Sequence, residues 1–284
     1  MNWLVGGLLL SVVSIWSAAF TLPDQNLHVV VCDVGQGDGI LVMRGTTQML
    51  VDSGPDNSIL GCLSRHMPFY DHRIEFAVIT HPQLDHFGGF SSIVDRYTVA
   101  QFASDSFGNT TVSWLKLKAK IKDIPQITLT TGDQIKLDDQ VKFGIIWPSA
   151  GYTASVETKG LDFNKVAIVG KVTYQDFDML LTADADSQVE LAQMATGLLG
   201  PVEVLKVPHH GSKTGMLPSW LEVIKPQLGV ISVGKKNRYG HPHPQALDLL
   251  SSHQIKTLRT DQNGDVELIS DGHKWWYNLQ YGDR

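Results

Sequence analysis

The stretch Thr80-His-Pro-Gln-Leu-Asp-His-Phe-Gly-Gly89 places His81, Asp85 and His86 within six residues, directly after the apolar run Phe76-Ala-Val-Ile-Thr80. The chain has eleven histidines, and none lies between His86 and His209. Three groups stand out: His81/His86, His209/His210 and His241/His243. Each follows an apolar run with strand character. Asp184 closes a fourth run, Leu180-Leu-Thr-Ala-Asp184. Strand ends on one edge of an α/β sheet converge on a common crevice. Imidazole with carboxylate is a donor set for Zn2+ or Mn2+, so one or two such ions are expected. A carboxylate such as Asp184 can bridge two ions, and such a pair stabilises both the attacking and leaving oxygens of a phosphoryl transfer. Each piece has an ordinary alternative. A histidine beside proline is a turn residue, and Asp184 could be the N-cap of the helix that follows. Taken together, those alternatives do not explain four separate strand ends carrying ligand-type residues.

The elements that must position these residues follow from β-branched runs and their Gly, Asp and Pro punctuation. Strands are predicted over residues 27–33, 40–44, 48–52, 75–80, 99–103, 141–147, 165–174, 179–182, 202–207, 228–233, 257–260 and 266–270. Helices are predicted over 58–66, 87–97, 111–122, 187–199, 217–225 and 244–252, with Pro218 and Pro244 at helix starts, where a missing N–H costs least. Early hairpins, then strand–helix alternation, then more hairpins argue for two sheets with helices outside. Residues 149–163 form the loosest segment and a candidate lid loop. Trp275-Trp276-Tyr277 is either a last strand or an exposed aromatic patch.

The bulk numbers set bounds. With 284 residues, 43% apolar and 18% charged, the chain can bury a substantial core. A net charge of −6 excludes a generally basic nucleic-acid coat but not a local cationic groove. Residues 3–20 are eighteen without a charge, just long enough to span a bilayer. Ser17-Ala18-Ala19 resembles a signal-peptidase site, although no Lys or Arg precedes the apolar run. The expected organisation is residues 1–23 as a signal peptide or single membrane anchor and 24–284 as one extracytoplasmic domain. That domain is then anchored through residues 3–20 or released by cleavage near Ala19. Cys32 and Cys62, the only cysteines, form either buried thiols or, in an exported chain, one disulfide.

The charge balance reverses between Val204 and Arg238. Lys206, Lys213, Lys225, Lys235, Lys236 and Arg238 face only Glu222, six minus one or +5. Lys206 and Lys225 are expected to be solvated. Lys213, Lys235 and Arg238, with Ser212, are candidate substrate contacts for an anionic, phosphate-bearing ligand. A hydroxide attacking phosphorus also needs stabilisation of the departing alkoxide, for which His210 and His241 are candidates beside Asp85. Asp38 and Asp52, at early turns, either orient ligand histidines as outer hydrogen-bond acceptors or are ordinary turn aspartates.

Longer strings carry a resemblance. Asp33-Val-Gly-Gln-Gly-Asp38, Val51-Asp-Ser-Gly54, Thr80–Gly89, Leu180–Asp184, Lys206-Val-Pro-His-His-Gly-Ser212 and Asn237-Arg-Tyr-Gly-His-Pro-His-Pro244 together resemble a metallo-β-lactamase-fold hydrolase. They are similar, more narrowly, to the nuclease-like extracytoplasmic domain of the ComEC competence-protein family, over about residues 27–270. The resemblance implies a four-layer αββα sandwich. It maps the motif His-x-His-x-Asp-His onto His81, Gln83, Asp85 and His86: the first two positions hold one metal, Asp85 and His86 the second, and Asp184 bridges them. His209 corresponds to a further ligand and His241 to a histidine lining the site. Gln83 departs from the motif, because a neutral amide oxygen is a weaker donor than imidazole. The implied function is a metal-dependent phosphodiesterase acting on extracellular single-stranded DNA and linked to DNA uptake. Two alternatives stay open: another phosphoester or small substrate on the same fold, or an inactive DNA-binding or interaction module. No protein partner is deducible.

Overall fold

Apolar runs too short for helices and rich in Val and Ile fold as strands buried on one or both faces. In the computed structural model, which describes residues 6–7, 23–156 and 160–282, they are β1 (Leu27–Val31), β2 (Ile40–Arg44), β3 (Thr47–Val51), β4 (Arg73–Ile79), β5 (Thr98–Ser104), β6 (Gln126–Thr128), β7 (Gln134–Lys136) and β8 (Val141–Trp147). The second half supplies β9 (Val169–Tyr174), β10 (Phe177–Leu181), β11 (Val204–Lys206), β12 (Leu228–Ile231), β13 (Lys256–Arg259), β14 (Val266–Ser270) and β15 (Trp275–Leu279). The leader expected over residues 3–20 falls, apart from Gly6 and Gly7, outside the described residues. Among the described residues no helix is long and apolar enough to cross a membrane.

The strands make two sheets, one in the order β15-β14-β1-β2-β3-β4-β5-β6 and one in the order β13-β12-β11-β10-β9-β8-β7. Each is mixed. In the first, β3 to β6 are parallel and the rest antiparallel. In the second, β10 to β13 are parallel and β7 to β10 antiparallel. Alternating side chains divide between faces. Val29, Val31, Val51 and Val78 from one sheet meet Phe143, Val172, Met179 and Val230 from the other in the central core. Val30, Leu41, Ile74 and Phe102 face outward and are covered by the helices Ile59–His66, Phe90–Ile93 and Val112–Lys120. Leu180, Leu205 and Ile231 are covered by the helices Ser187–Ala195, Pro218–Ile224 and Pro244–Ser252. Three apolar interfaces between four layers make the αββα sandwich, each fully buried Val, Leu, Ile or Phe contributing about 1.5–3 kcal/mol.

Several details depart from expectation. The helix predicted over 87–97 is split into Leu84–Phe87 and Phe90–Ile93 at Gly88-Gly89. A Cβ on Gly88 would lie 2.1 Å from the Pro55 carbonyl oxygen, and one on Gly89 2.3 Å from that of Ser53, so glycine is required where this segment crosses the loop after β3. The strand predicted from 165 starts at Val169, after a 3-10 turn over Phe163–Val166. β6 and β7 are short and polar and escaped prediction. Trp275-Trp276-Tyr277 is the edge strand β15, with Trp276 turned outward. The loose 149–163 segment includes a helix, Ala150–Ser155, capped by Ser149. Cys32 and Cys62, both fully buried, form a disulfide that ties the end of β1 to the helix Ile59–His66 across 30 residues, with Cα atoms 5.8 Å apart.

Candidate metal centre

Because β3 and β4 run parallel, and β10, β11 and β12 do likewise, their C-terminal ends share one edge of each sheet. Where the two edges meet, Asp85, His86, Asp184 and His210 offer donor atoms that all lie within 4.8 Å of one another. His86 Nε2 is 3.4 Å from Asp184 Oδ2, and His210 Nε2 is 3.3 Å from Asp184 Oδ1 and 3.8 Å from Asp85 Oδ2. His81 packs on His86 with ring centroids 4.1 Å apart. The backbone is forced here: Asp52, Ala183, His209 and His210 all have positive φ, at 59°, 47°, 47° and 54°. Such conformations in residues other than glycine concentrate at functional sites. Asp184 is not a helix cap, since Asp186 accepts from Gln188 N and Val189 N at the start of the helix Ser187–Ala195.

Hydrogen bonding decides what each imidazole presents. Asp52 accepts from His86 Nδ1 at 2.7 Å. His210 Nδ1 donates to the Ser232 carbonyl at 2.9 Å. Thr80 spends its hydroxyl proton on Asp52 Oδ2, so at 3.0 Å it accepts from His81 Nδ1. All three rings therefore commit the Nδ1 proton outward and turn the Nε2 lone pair inward. His81 Nε2, His86 Nε2, His210 Nε2 and Asp184 Oδ1 are buried with no hydrogen-bond partner. A buried unpaired polar atom costs about 1–3 kcal/mol, and a divalent cation satisfies several at once. The residues present fit such an ion.

The electrostatics agree. Burial opposes charge on His86, yet Asp184 and Asp52 raise it well above its usual value. Burial likewise opposes charge on His210, which Asp184 and Asp85 bring up to about 9. Burial would raise the Asp85 carboxyl, but His210 and His86 bring it down to about 2. Burial drives His81 down to about 3, with His86 adding to the effect. Burial pushes Asp52 up against the pull of His86. The carboxylates at the centre thus hold positive charge on neighbouring rings, the charge that a cation replaces. His241, farther out, is lowered to about 4 by burial and then by His209 and His210.

Some candidates fall in different places from those expected. His210, not His209, completes the donor cluster. His209 sits at the rim, 28% exposed, with Nε2 3.8 Å from Asp184 Oδ2. The pair stands on one turn, and only backbone dihedrals decide which ring points inward. Gln83 is engaged with Asn164: its Nε2 donates to Asn164 Oδ1 at 3.0 Å. Lys206 is not solvated but fully buried, with Nζ 2.7 Å from Asp38 Oδ2, because β11 is a central strand covered on both faces. Asp38, equally buried, also lies 3.5 Å from His210 Nδ1. Asp38 and Asp52 are therefore packed beside the donor histidines. Lys225 is exposed at the end of the helix Pro218–Ile224. Ser212 is buried, engaged with Thr214. Lys213 and Arg238 are exposed, and Lys235 lies over the Tyr281 ring. Thr80, Ser232 and Asn237 also shape the centre, beyond the residues expected from sequence. Asn237 ties the loop before His241 together through Gly234 O, His241 O and His241 N. Thr80, beside His81, had a sequence signal; a backbone carbonyl such as that of Ser232 has none.

The model of the metallo-beta-lactamase superfamily matches residues 32–235. ComE operon protein 3 of Bacillus subtilis is 27% identical over 84% of this chain and 32% of its own length. Competence protein ComA of Neisseria gonorrhoeae is 26% identical over 87% of this chain and 33% of its own. The chain thus spans about a third of these relatives. Among solved structures, the metallo-beta-lactamase fold protein YhfI of Bacillus subtilis superposes with a TM-score of 0.53 at 11% identity, over 89% of this chain and 100% of that one. Zn(2+)-bound PqqB of Methylobacterium extorquens superposes with a TM-score of 0.52 at 8% identity, over 82% and 97%. At such identities these two likenesses speak for the fold.

Proposed function

The chain belongs to the metallo-beta-lactamase superfamily of metal-dependent hydrolases, and on that premise we propose that it is an extracytoplasmic phosphodiesterase that cuts single-stranded DNA during DNA uptake. The observation that carries this reading is the convergence of two inward Nε2 lone pairs, those of His86 and His210, with Asp85 and Asp184, with His81 packed on His86 and a rim bearing Lys236 and Arg238 alongside. The names of the two competence proteins support the link to DNA uptake. The buried disulfide supports an oxidising compartment outside the cytoplasm.

Asp85, His86, Asp184 and His210 would hold a divalent ion, Zn2+ or Mn2+, with His81 beside them. When bound, such an ion supplies charge for phosphoryl oxygens and lowers the pKa of a water. The chain's own residues do the rest. Asp52 and the Ser232 carbonyl fix the His86 and His210 tautomers. Asp85, 26% exposed where the other donors are buried, marks the side from which substrate enters. Lys236 and Arg238 neutralise phosphates on the strand, while His241 is placed to receive or pass a proton at the rim. The test is elemental analysis of the purified chain loaded with Mn2+ or Zn2+, with cleavage of single-stranded DNA followed in parallel. Bound metal with cleavage that is abolished in Asp184→Asn is expected. Neither metal nor cleavage would sink the reading. A second reading, a DNA-binding module without catalysis, draws on Gln83, an amide bonded to Asn164 where the motif has a histidine; bound DNA left uncut by the metal-loaded chain would favour it.

A further inference from the structure

Beside the metal centre lies an open pocket of about 360 Å³, walled on one side by Gln36, Leu84 and Asp85 and on the other by Lys236, Arg238 and Tyr239. Its two walls come from different sheets' loops, so it forms only in the folded sandwich. Tyr239 is 68% exposed, and one face of its ring is backed by His241 at 5.8 Å and 26°. Leu84, 51% exposed, presents a second apolar surface from the opposite wall. Gln36 Nε2 has no hydrogen-bond partner. His241 lies 6.4 Å from His210, so the rings Tyr239, His241 and His210 form a continuous path from the pocket into the donor cluster.

We infer that this pocket is a nucleobase subsite, in which the base next to the scissile phosphate stacks on Tyr239. An apolar slot alone would take many ligands. Here the aromatic face is flanked by two cations on its own loop, Lys236 and Arg238, and the acid on the wall, Asp85, belongs to the metal donors. A planar group attached to phosphates meets both features, and stacking serves every base alike because each has a π-face. Asn237 holds the loop so that Tyr239 and His241 stay in contact, through bonds of 2.8–2.9 Å to His241 O and N. Tyr239 is a specificity residue for polynucleotide over smaller phosphoesters.

This inference rests on the nuclease reading, and the experiment separates the two. Binding of fluorescein-labelled oligothymidylate and of an abasic strand of the same length is measured by anisotropy for the wild type, Tyr239→Ala and Tyr239→Phe. The preference for the base-bearing strand should fall by about 5- to 150-fold in Tyr239→Ala, the range that one stacked base supplies, and survive in Tyr239→Phe. If the wild type binds and cuts DNA but Tyr239→Ala keeps its preference for bases, the subsite is wrong and the nuclease reading stands. If Tyr239→Ala weakens both strands equally, the ring acts through His241 and the subsite is also wrong. If the wild type neither binds nor cuts DNA, both fall.

Discussion

Asp52→Asn is the sharpest test of how the centre is built. Asp52 accepts three hydrogen bonds: from Thr80 N at 2.9 Å, Thr80 Oγ1 at 2.7 Å and His86 Nδ1 at 2.7 Å. It therefore fixes His86 directly and His81 through the Thr80 hydroxyl. Asparagine is the right replacement because Asp52 has φ of 59°, a left-handed conformation that Asn tolerates and Ala does not. The amide keeps the size but carries hydrogens where one oxygen stood. That nitrogen would face two donors, so His86 must move its proton to Nε2, the atom aimed at the ion. Loss of an outer-shell partner costs about 10–100-fold in metal affinity. With two histidines depending on one carboxylate, the upper end applies, about 100-fold or roughly 2.8 kcal/mol. The assay is competition with a chromophoric chelator for Mn2+ or Zn2+, with thermal unfolding of both metal-free proteins as a control. Equal metal affinity in Asp52→Asn and wild type, with both folded, would show that the imidazoles are not oriented this way.

Glu190 is fully buried in the helix Ser187–Ala195, where one oxygen accepts from Leu217 N, and burial raises its carboxyl to about 9 from an ordinary 4.5. The folded state keeps this proton while the unfolded chain gives it up, so its contribution is full below pH 4.5 and is lost as pH rises toward about 9. Wild type should lose about 3 kcal/mol of stability between pH 4.5 and 7 from this group; urea melts of Glu190→Gln across that range should lack this component, and parallel pH curves would refute the assignment. Reducing the Cys32–Cys62 disulfide, which closes a 30-residue separation, should lower unfolding free energy by about 3–4 kcal/mol, read from denaturation with and without reductant; no shift would contradict the link. Gln83→His replaces an amide held by Asn164 with an imidazole and should raise the metal count per chain; equal stoichiometry in elemental analysis would show that a side chain at position 83 does not reach the ions.

The strand runs, the proline-led helices Pro218–Ile224 and Pro244–Ser252, and the His and Asp residues at strand ends were legible in sequence, because local periodicity and residue chemistry are written one position at a time. The two-sheet plan was legible too, from the order of hairpins and crossovers and from the resemblance. The chain by itself could not say which of two adjacent histidines points inward. That depends on φ of 47° and 54° at His209 and His210, set by packing between two sheets. Nor could it show that Lys206 is buried against Asp38, a partner 168 positions away in the chain, 206 − 38. β6 and β7, three residues each, carry too little pattern to be seen and exist only because a neighbouring strand supplies their hydrogen bonds. Sequence determined which donors are available. Tertiary structure decided which of them meet, because Asp85 and His86 come from one sheet and Asp184 and His210 from the other, and only their packing brings the two edges together.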